Sequence, residues 1–510
     1  MRINQVKYGA IMSYASYALS VLLTLVSTPL MIDLLGNEGG EYGVYQMMLP
    51  LVSCLTVLTF GLGSAYTRYY SIYKAEGNRD KMAGLNGMFL TIYAVLGLLA
   101  ISIGFVMSMF VGEIFPALSR EYVPLAGNLL RIMSLNMGLS FPAYVFTAHI
   151  IVNEQYLYQK TAAAIKIVLN PTLTILLLLL GQGSVAITLL ALGLTVAMGA
   201  ADAWYCFKRL RMPLRFSRFE GKLIKEMLRF TSFVFLSNLV DEINWNSDRI
   251  VLGMVKGEEE VAIYSVGAQL NIYFLTLSTM MANVFVPRVH RLVAQRRPDR
   301  EISDLFIKVG RLQFMVMSFI LIGFIAIGDG FMRLYSKPEY VDQGAFVITL
   351  MLMIPAIVPS VQTLGIEIQQ AKNKHRFRAV TYAIVAVVNV ALSVPLSMWL
   401  GGVGAALGTT FTVVVGKGLL MNWYYKKHIG LDVWRFWKSI LRILLGMAIP
   451  LTAAIAMAVF VDIQGWQELV LWGVGIAVLE AVCLVLLAMN KEDREMIFGP
   501  VLRRLRRRSS

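Results

Sequence analysis

Asn238-Leu-Val-Asp241-Glu242-Ile-Asn244-Trp245-Asn246-Ser247-Asp248-Arg249 is a polar stretch set between Phe233-Val-Phe-Leu and Ile250-Val-Leu. At helical spacing Asn238, Asp241, Trp245 and Asp248 share one stripe, with Glu242, Asn246 and Arg249 beside it. A helix entered at Glu226 carries Asp241 roughly 22 Å along its axis, near the middle of a bilayer. Ionisable groups at that depth are costly when they face lipid, by about 3 kcal/mol each on insertion scales. They must therefore face protein or water. One reading is an internal ion pair between Arg249 and a neighbouring acid. The other is a wet transport cavity, favoured because neutral residues fill a dry interior more cheaply.

The rest of the chain explains why this stretch reads as membrane-embedded. The 510 residues are 57% hydrophobic and 15% charged, with mean hydropathy +0.66. A soluble fold of this size does not keep so apolar a surface in water. Apolar runs of spanning length recur throughout and predict an all-α integral membrane protein with fourteen transmembrane helices. The expected spans are about 9–35, 42–66, 85–111, 124–152, 160–180, 184–207, 226–254, 260–286, 304–328, 344–370, 377–400, 403–424, 438–461 and 465–489, with ends good to about four residues. The first run has no small-residue cleavage signal and reads as a retained helix. Cys54, Cys206 and Cys483 all lie in apolar runs without metal-ligand spacing, so neither a metal nor a cofactor is expected.

The sequence repeats itself at a constant offset of 219 residues. Tyr45 maps onto Tyr264, Asn170 onto Asn389, Gly183 onto Gly402, Trp204 onto Trp423, Tyr205 onto Tyr424 and Lys208 onto Lys427. Six helices per repeat is an even number, so the repeat is parallel. The expected organisation is a six-helix bundle over 1–215, a second over 216–430, helices thirteen and fourteen over 431–490 and a basic tail over 491–510.

Basic residues decide the orientation. They crowd 68–81, 208–225, 288–300, 372–378, 426–427 and 503–508, whereas the opposite side carries Arg120, Lys256, Arg333 and Lys337. The positive-inside rule then places both termini in the cytoplasm. The net charge of +15 thus points to anionic membrane lipids at the basic loops and tail, not to nucleic acid.

Other polar positions carry less information. Helix one has Ser13, Tyr17, Ser20, Thr24 and Ser27, and helix eight has Gln269, Thr276 and Asn283. Such residues serve helix packing as readily as transport. Arg68 closes helix two. Arg131 is either about ten residues deep in helix four or at its outer end. Lys166 is placed to snorkel, and Glu480 is deep in helix fourteen without an evident role. Pro355 and Pro359 make helix ten a candidate moving element, with ordinary static kinks as the alternative.

The stretch Asn244-x-x-x-Asp248-Arg249-Ile-Val-Leu-Gly253, followed by Val261-Ala-Ile-Tyr264-Ser, resembles helices seven and eight of Wzx-like oligosaccharide flippases. These belong to the multidrug/oligosaccharidyl-lipid/polysaccharide (MOP) superfamily. Tyr42-Gly43-Val44-Tyr45 is the first-half counterpart, and Phe60-Gly-Leu-Gly63 with Arg68 resembles the end of their second helix. Ala262 departs from the usual Gly. The resemblance implies a V-shaped pair of bundles and export of a lipid-linked oligosaccharide, carried on undecaprenyl pyrophosphate, across the bacterial inner membrane by alternating access. Polysaccharide assembly machinery is the partner it suggests. Arg249, Arg68, Arg131, Asn244, Asn246 and Gln269 are then the candidate headgroup ligands, since arginine offers pyrophosphate a bidentate fork. Asp241, Glu242 and Asp248 are the candidate ion-coupling groups. The alternatives are a peptidoglycan-precursor flippase and a drug antiporter of the same superfamily. An enzyme is disfavoured, because the longest outer connection, near Asp329–Gly344, is too short for an active domain.

Overall fold

The computed structural model describes residues 5–35, 40–216, 221–374, 376–490 and 492–494; the side chains of 5–18 and of 222, 230, 233, 234 and 237 are outside that description. The basic tail beyond 494 and the side chains of Ser13 and Tyr17 are therefore outside it too. The described residues are helices and their connections. Among the described residues, ten helices are long and apolar enough to cross a bilayer, or eleven with Val433–Gly446 and Ala448–Phe460 taken as one bent span. Helices Gln5–Leu34 and Gly221–Val255 occupy the first and seventh expected spans. Arg376–Thr412 covers the eleventh span and the start of the twelfth, turning at Gly401, where φ is 58° and ψ is −135°.

The second, tenth and thirteenth expected helices differ from their sequence reading; the tenth, expected over 344–370, is Ala345–Ser360 followed by Thr363–Ala371. The second, expected as one piece over 42–66, is Gly40–Cys54, a 3₁₀ turn Leu55–Thr59 and then Leu62–Ala75. Phe60 and Gly61 between them are both left-handed, with φ of 49° and 65°. Glycine admits that conformation without strain. Phe60 is held there by a ring stack on Phe235, with centroids 4.7 Å apart. The thirteenth, expected over 438–461, begins at Val433 and bends by 56° after Gly446. Pro450 accounts for the bend, because its nitrogen has no hydrogen to give to residue 446.

The chain divides into two compact units, 1–262 and 263–510. In the first, helix Val123–Val152 packs on Arg79–Met109 and on Ser184–Lys208, while Gly221–Val255 packs on Gly40–Cys54. Gly97 and Gly138 bring two of these helices into backbone contact, and a Cβ on either would strike the other's carbonyl oxygen. This is the small-residue packing expected where lipid supplies no hydrophobic drive. In the second unit, Asp299–Tyr335 is the central helix, packed by Ala345–Ser360, Val433–Gly446, Ala448–Phe460 and Trp466–Cys483. Its buried core includes Phe306, Ile368, Met421, Tyr425 and Phe436.

Helix ends recur at the 219-residue offset. Gly77 and Arg296 are left-handed, with φ of 67° and 50°; so are Glu154 and Asn373, at 58° and 56°, and Arg211 and Gly430, at 50° and 82°. The closing hydrogen bonds repeat as well. Asn78 N–H donates to the Tyr73 carbonyl and Arg297 N–H to that of Leu292, each at 3.0 Å. Gln155 N–H donates to Ile150 at 3.1 Å and Lys374 N–H to Gln369 at 2.9 Å. These are helix stops in which a left-handed residue lets the backbone satisfy its last carbonyls. Side chains follow the same offset. Tyr158 stacks on Tyr205 at 3.8 Å, and Phe377 on Tyr424 at 4.1 Å. Lys208 lies over Trp204 at 5.5 Å, and Lys427 over Trp423 at 5.3 Å.

Candidate functional site

Helix Gly221–Val255 is 35 residues long. Asp241 stands 20 residues from its start and 14 from its end, so it remains central. Beside it runs the broken second helix, with its 3₁₀ turn at Leu55–Thr59. A break in a membrane helix leaves backbone groups without their usual partners, and proteins place such breaks where they line a site or pack on protein.

Side-chain hydrogen bonds join the helices here. Glu242 accepts a hydrogen bond from the Thr56 hydroxyl at 3.3 Å through one oxygen and from Asn246 Nδ2 at 2.6 Å through the other. Arg249 donates from its guanidinium to Gln46 Oε1 at 3.4 Å. Asn246 and Asp248 are buried, Glu242 and Arg249 are half-buried, and Asp241 and Trp245 are exposed. The stripe expected to present Asp241 and Asp248 together is thus divided, with Asp248 turned into protein. Asn244 donates to the Val240 carbonyl of its own helix at 2.9 Å.

The other candidates fall elsewhere. Arg68 is exposed on helix Leu62–Ala75, which packs on Gly221–Val255. Arg131 is held at the end of its bundle: its Nε donates to Ser108 Oγ at 2.9 Å, and it reaches Asn128 at 3.4 Å. Ser108 is in the last turn of Arg79–Met109, and Arg131 is eight residues into Val123–Val152. Gln269 is half-buried on helix Glu258–Asn283, beyond the division at 262. In helix one, Thr24 and Ser27 donate to their own helix carbonyls, at Ser20 and Thr24.

Gln46 and Thr56 are the members that sequence reasoning missed. Gln46 directly follows the Tyr42-Gly43-Val44-Tyr45 motif and is polar within an apolar helix, which was the available signal. Gly43 in that motif lies against the Glu258 backbone, and a Cβ there would overlap the Glu258 carbonyl oxygen. Its counterpart at the repeat offset is Ala262, fully buried. Among the described residues no group of His, Cys, Asp and Glu is placed to hold a metal ion. The cluster offers a cationic fork, two amides, a hydroxyl and carboxylates. Such a set can exchange hydrogen bonds with sugar hydroxyls or with a phosphate.

Residues 6–293 match the model of the polysaccharide biosynthesis protein family. The chain belongs to that family. Relatives include the uncharacterized membrane protein EpsK of Bacillus subtilis (strain 168), 22% identical over 94% of this chain and 95% of the relative. A putative O-antigen transporter of Shigella flexneri is 21% identical over 81% of this chain and 95% of its own length. In structure the chain is similar to the lipid II flippase MurJ in an inward closed conformation, with TM-score 0.71, 15% identity and coverage of 97% and 99% of the two chains. The fold is therefore that of the MOP superfamily, and this member of the polysaccharide biosynthesis protein family is a multi-pass membrane protein.

Proposed function

We propose that this protein moves a lipid-linked oligosaccharide, carried on a polyprenyl pyrophosphate such as undecaprenyl pyrophosphate, from the cytoplasmic to the outer leaflet. The family supports the polysaccharide link. The observation that carries the reading is the polar cluster of Glu242, Asn246, Arg249, Gln46 and Thr56 beside a broken membrane helix. We propose fourteen crossings, six in each repeat and two beyond, with both termini in the cytoplasm of a bacterial inner membrane. Transport then proceeds by alternating access. Arg249 holds the pyrophosphate or a sugar oxygen, and Asp241, exposed and central, takes up the coupling proton or sodium ion in one state only.

The test is export in cells lacking the native transporter. Arg249→Ala, inserted and folded, is expected to abolish surface polysaccharide, and Arg249→Lys to restore part of it, because a point charge lacks the fork. Full export by Arg249→Ala overturns the role of Arg249. Asp241→Asn is expected to retain substrate binding while its transport in vesicles no longer responds to an imposed proton or sodium gradient. An unchanged response to both gradients removes Asp241 as the coupling group.

A peptidoglycan precursor is the second reading, favoured by the structural match that spans 97% of the chain. Rescue of a strain depleted of its lipid II flippase would select it.

A further inference from the structure

A second polar site lies in the second unit, away from the cluster described above. A cavity of 570 Å³ opens between helices Val286–Ala294, Asp299–Tyr335 and Val433–Gly446 and residues Asn490, Glu492 and Asp493. That volume suits a small ligand or a lipid headgroup. Five cations line it. Arg311 is neutralised by Asp493, with Nη2 to Oδ2 at 2.5 Å, and Arg435 is paired with Asp304. Arg288, Lys308 and Arg442 have no ion pair among the described residues. Glu492 is the one lining acid likewise left over, because Glu301 faces Arg297 at 3.9 Å.

Two further observations specify the ligand. The repeat fold does not require these charges: the positions 219 residues before Arg288, Lys308 and Arg311 are Tyr69, Phe89 and Ile92. Next, the bent helix Val433–Gly446 is two-sided. Val433, Phe436, Ile440 and Ile443 are buried in the core. Trp434, Leu441 and Leu445, seven and eleven residues apart and so on one stripe, are 77%, 52% and 69% exposed. Arg435 and Arg442 each follow a residue of that stripe. A helix with a cationic face beside an exposed apolar stripe is built to lie in a membrane interface. With the stripe in the bilayer, a lipid can set its headgroup at the cations and its chains on the stripe, whereas a soluble anion makes use of the cations alone.

We propose that this cavity binds the phosphate of an anionic phospholipid, held by Arg288, Lys308 and Arg442, with its acyl chains along the Trp434–Leu441–Leu445 stripe. The site faces the cytoplasm on the topology proposed above. Basic pockets between membrane helices on that side are the usual place for such lipids.

Native mass spectrometry of the full-length protein released from micelles tests this without reference to transport or orientation. Phosphatidylglycerol, phosphatidylcholine and inorganic pyrophosphate are added separately. The parent is expected to retain phosphatidylglycerol and neither of the others. The variant Lys308→Ala/Arg442→Ala should bind it roughly tenfold more weakly, as the loss of charge-assisted contacts implies. Lys308→Arg/Arg442→Lys, which keeps both charges, should bind as the parent does, and Leu441→Ser/Leu445→Ser should weaken retention while sparing the cations. Equal retention by the alanine variant and the parent, retention of phosphatidylcholine at the same level, or retention of pyrophosphate unaffected by the serine changes each overturns the proposal.

Discussion

The helix end after residue 152 and the helix end after residue 371 share a backbone and differ in what lies beneath. Under the first, Tyr66 O–H is 2.8 Å from Asn86 Oδ1 and 2.9 Å from His149 Nδ1, and Asn86 Nδ2 donates to the Pro213 carbonyl at 2.7 Å. At the repeat offset these residues are Phe285, Leu305 and Ile368, and they pack in the apolar core of the second unit. One fold therefore accepts a closed polar network or plain hydrophobic packing at the same place. Half of either is costly, because a buried polar group without a partner forfeits its hydration for nothing. The converse exchange occurs at Arg311, whose buried ion pair with Asp493 stands where the first half has Ile92.

Breaking that ion pair is expected to have the largest effect. Arg311→Ile installs the first-half residue but leaves Asp493 buried and uncompensated, which should destabilise the protein by about 3–5 kcal/mol. Arg311→Ile with Asp493→Leu should recover most of the loss. Thermal unfolding in detergent, followed by aggregation, measures both. If the double variant melts as low as the single one, the charges are not acting as a pair and the two halves differ for another reason.

The polar network gives the next effect. Asn86→Leu alone takes the acceptor from the Tyr66 hydroxyl and the donor from the Pro213 carbonyl, with an expected loss of about 2–3 kcal/mol. Tyr66→Phe/Asn86→Leu/His149→Ile transplants the second-half set and should be less destabilised than Asn86→Leu. Such a result would be strongly non-additive, as expected for residues in one network. A triple variant that melts lower than Asn86→Leu would show that the first half needs its network for more than local satisfaction.

The same contrast separates what the sequence made legible from what it did not. Helix order could be read because apolar length and alternating loop charge are properties of whole segments. Stops at Gly77, Gly181 and Gly430 carry the residue that a left-handed end prefers, whereas Glu154, Arg211 and Arg296 adopt the same conformation with nothing in their type to announce it. The break at Phe60–Gly61 was hidden for a related reason. It sits inside an uninterrupted apolar run, and the ring of Phe235, 175 residues away, helps to hold it. In the candidate site, Glu242, Asn246 and Arg249 stood out because charge in an apolar helix is anomalous. Gln46 and Thr56 did not, since one amide or hydroxyl on a membrane helix looks like a packing residue until its partner is known. Asp241 and Asp248 fell on one stripe by spacing alone, yet neighbouring helices bury only Asp248.

The smallest expected effect is also the cleanest to interpret. Gly77 and Arg296 close equivalent helices with φ of 67° and 50°, and only one of them is glycine. A Cβ built on Gly77 meets nothing within 4 Å, so Gly77→Ala tests backbone conformation without a steric clash. It should destabilise the first unit by about 1 kcal/mol, the penalty for an L-residue in the left-handed region. Arg296→Gly should stabilise the second unit by a comparable amount, reduced by the greater freedom that glycine gives the unfolded chain. The side chain of Arg296 is exposed, so little packing is lost in the exchange. Opposite signs in the two unfolding measurements would show that the helix ends are equivalent in energy as well as in shape. A loss on Arg296→Gly would mean that its side chain contributes something in the second half that the turn geometry does not explain.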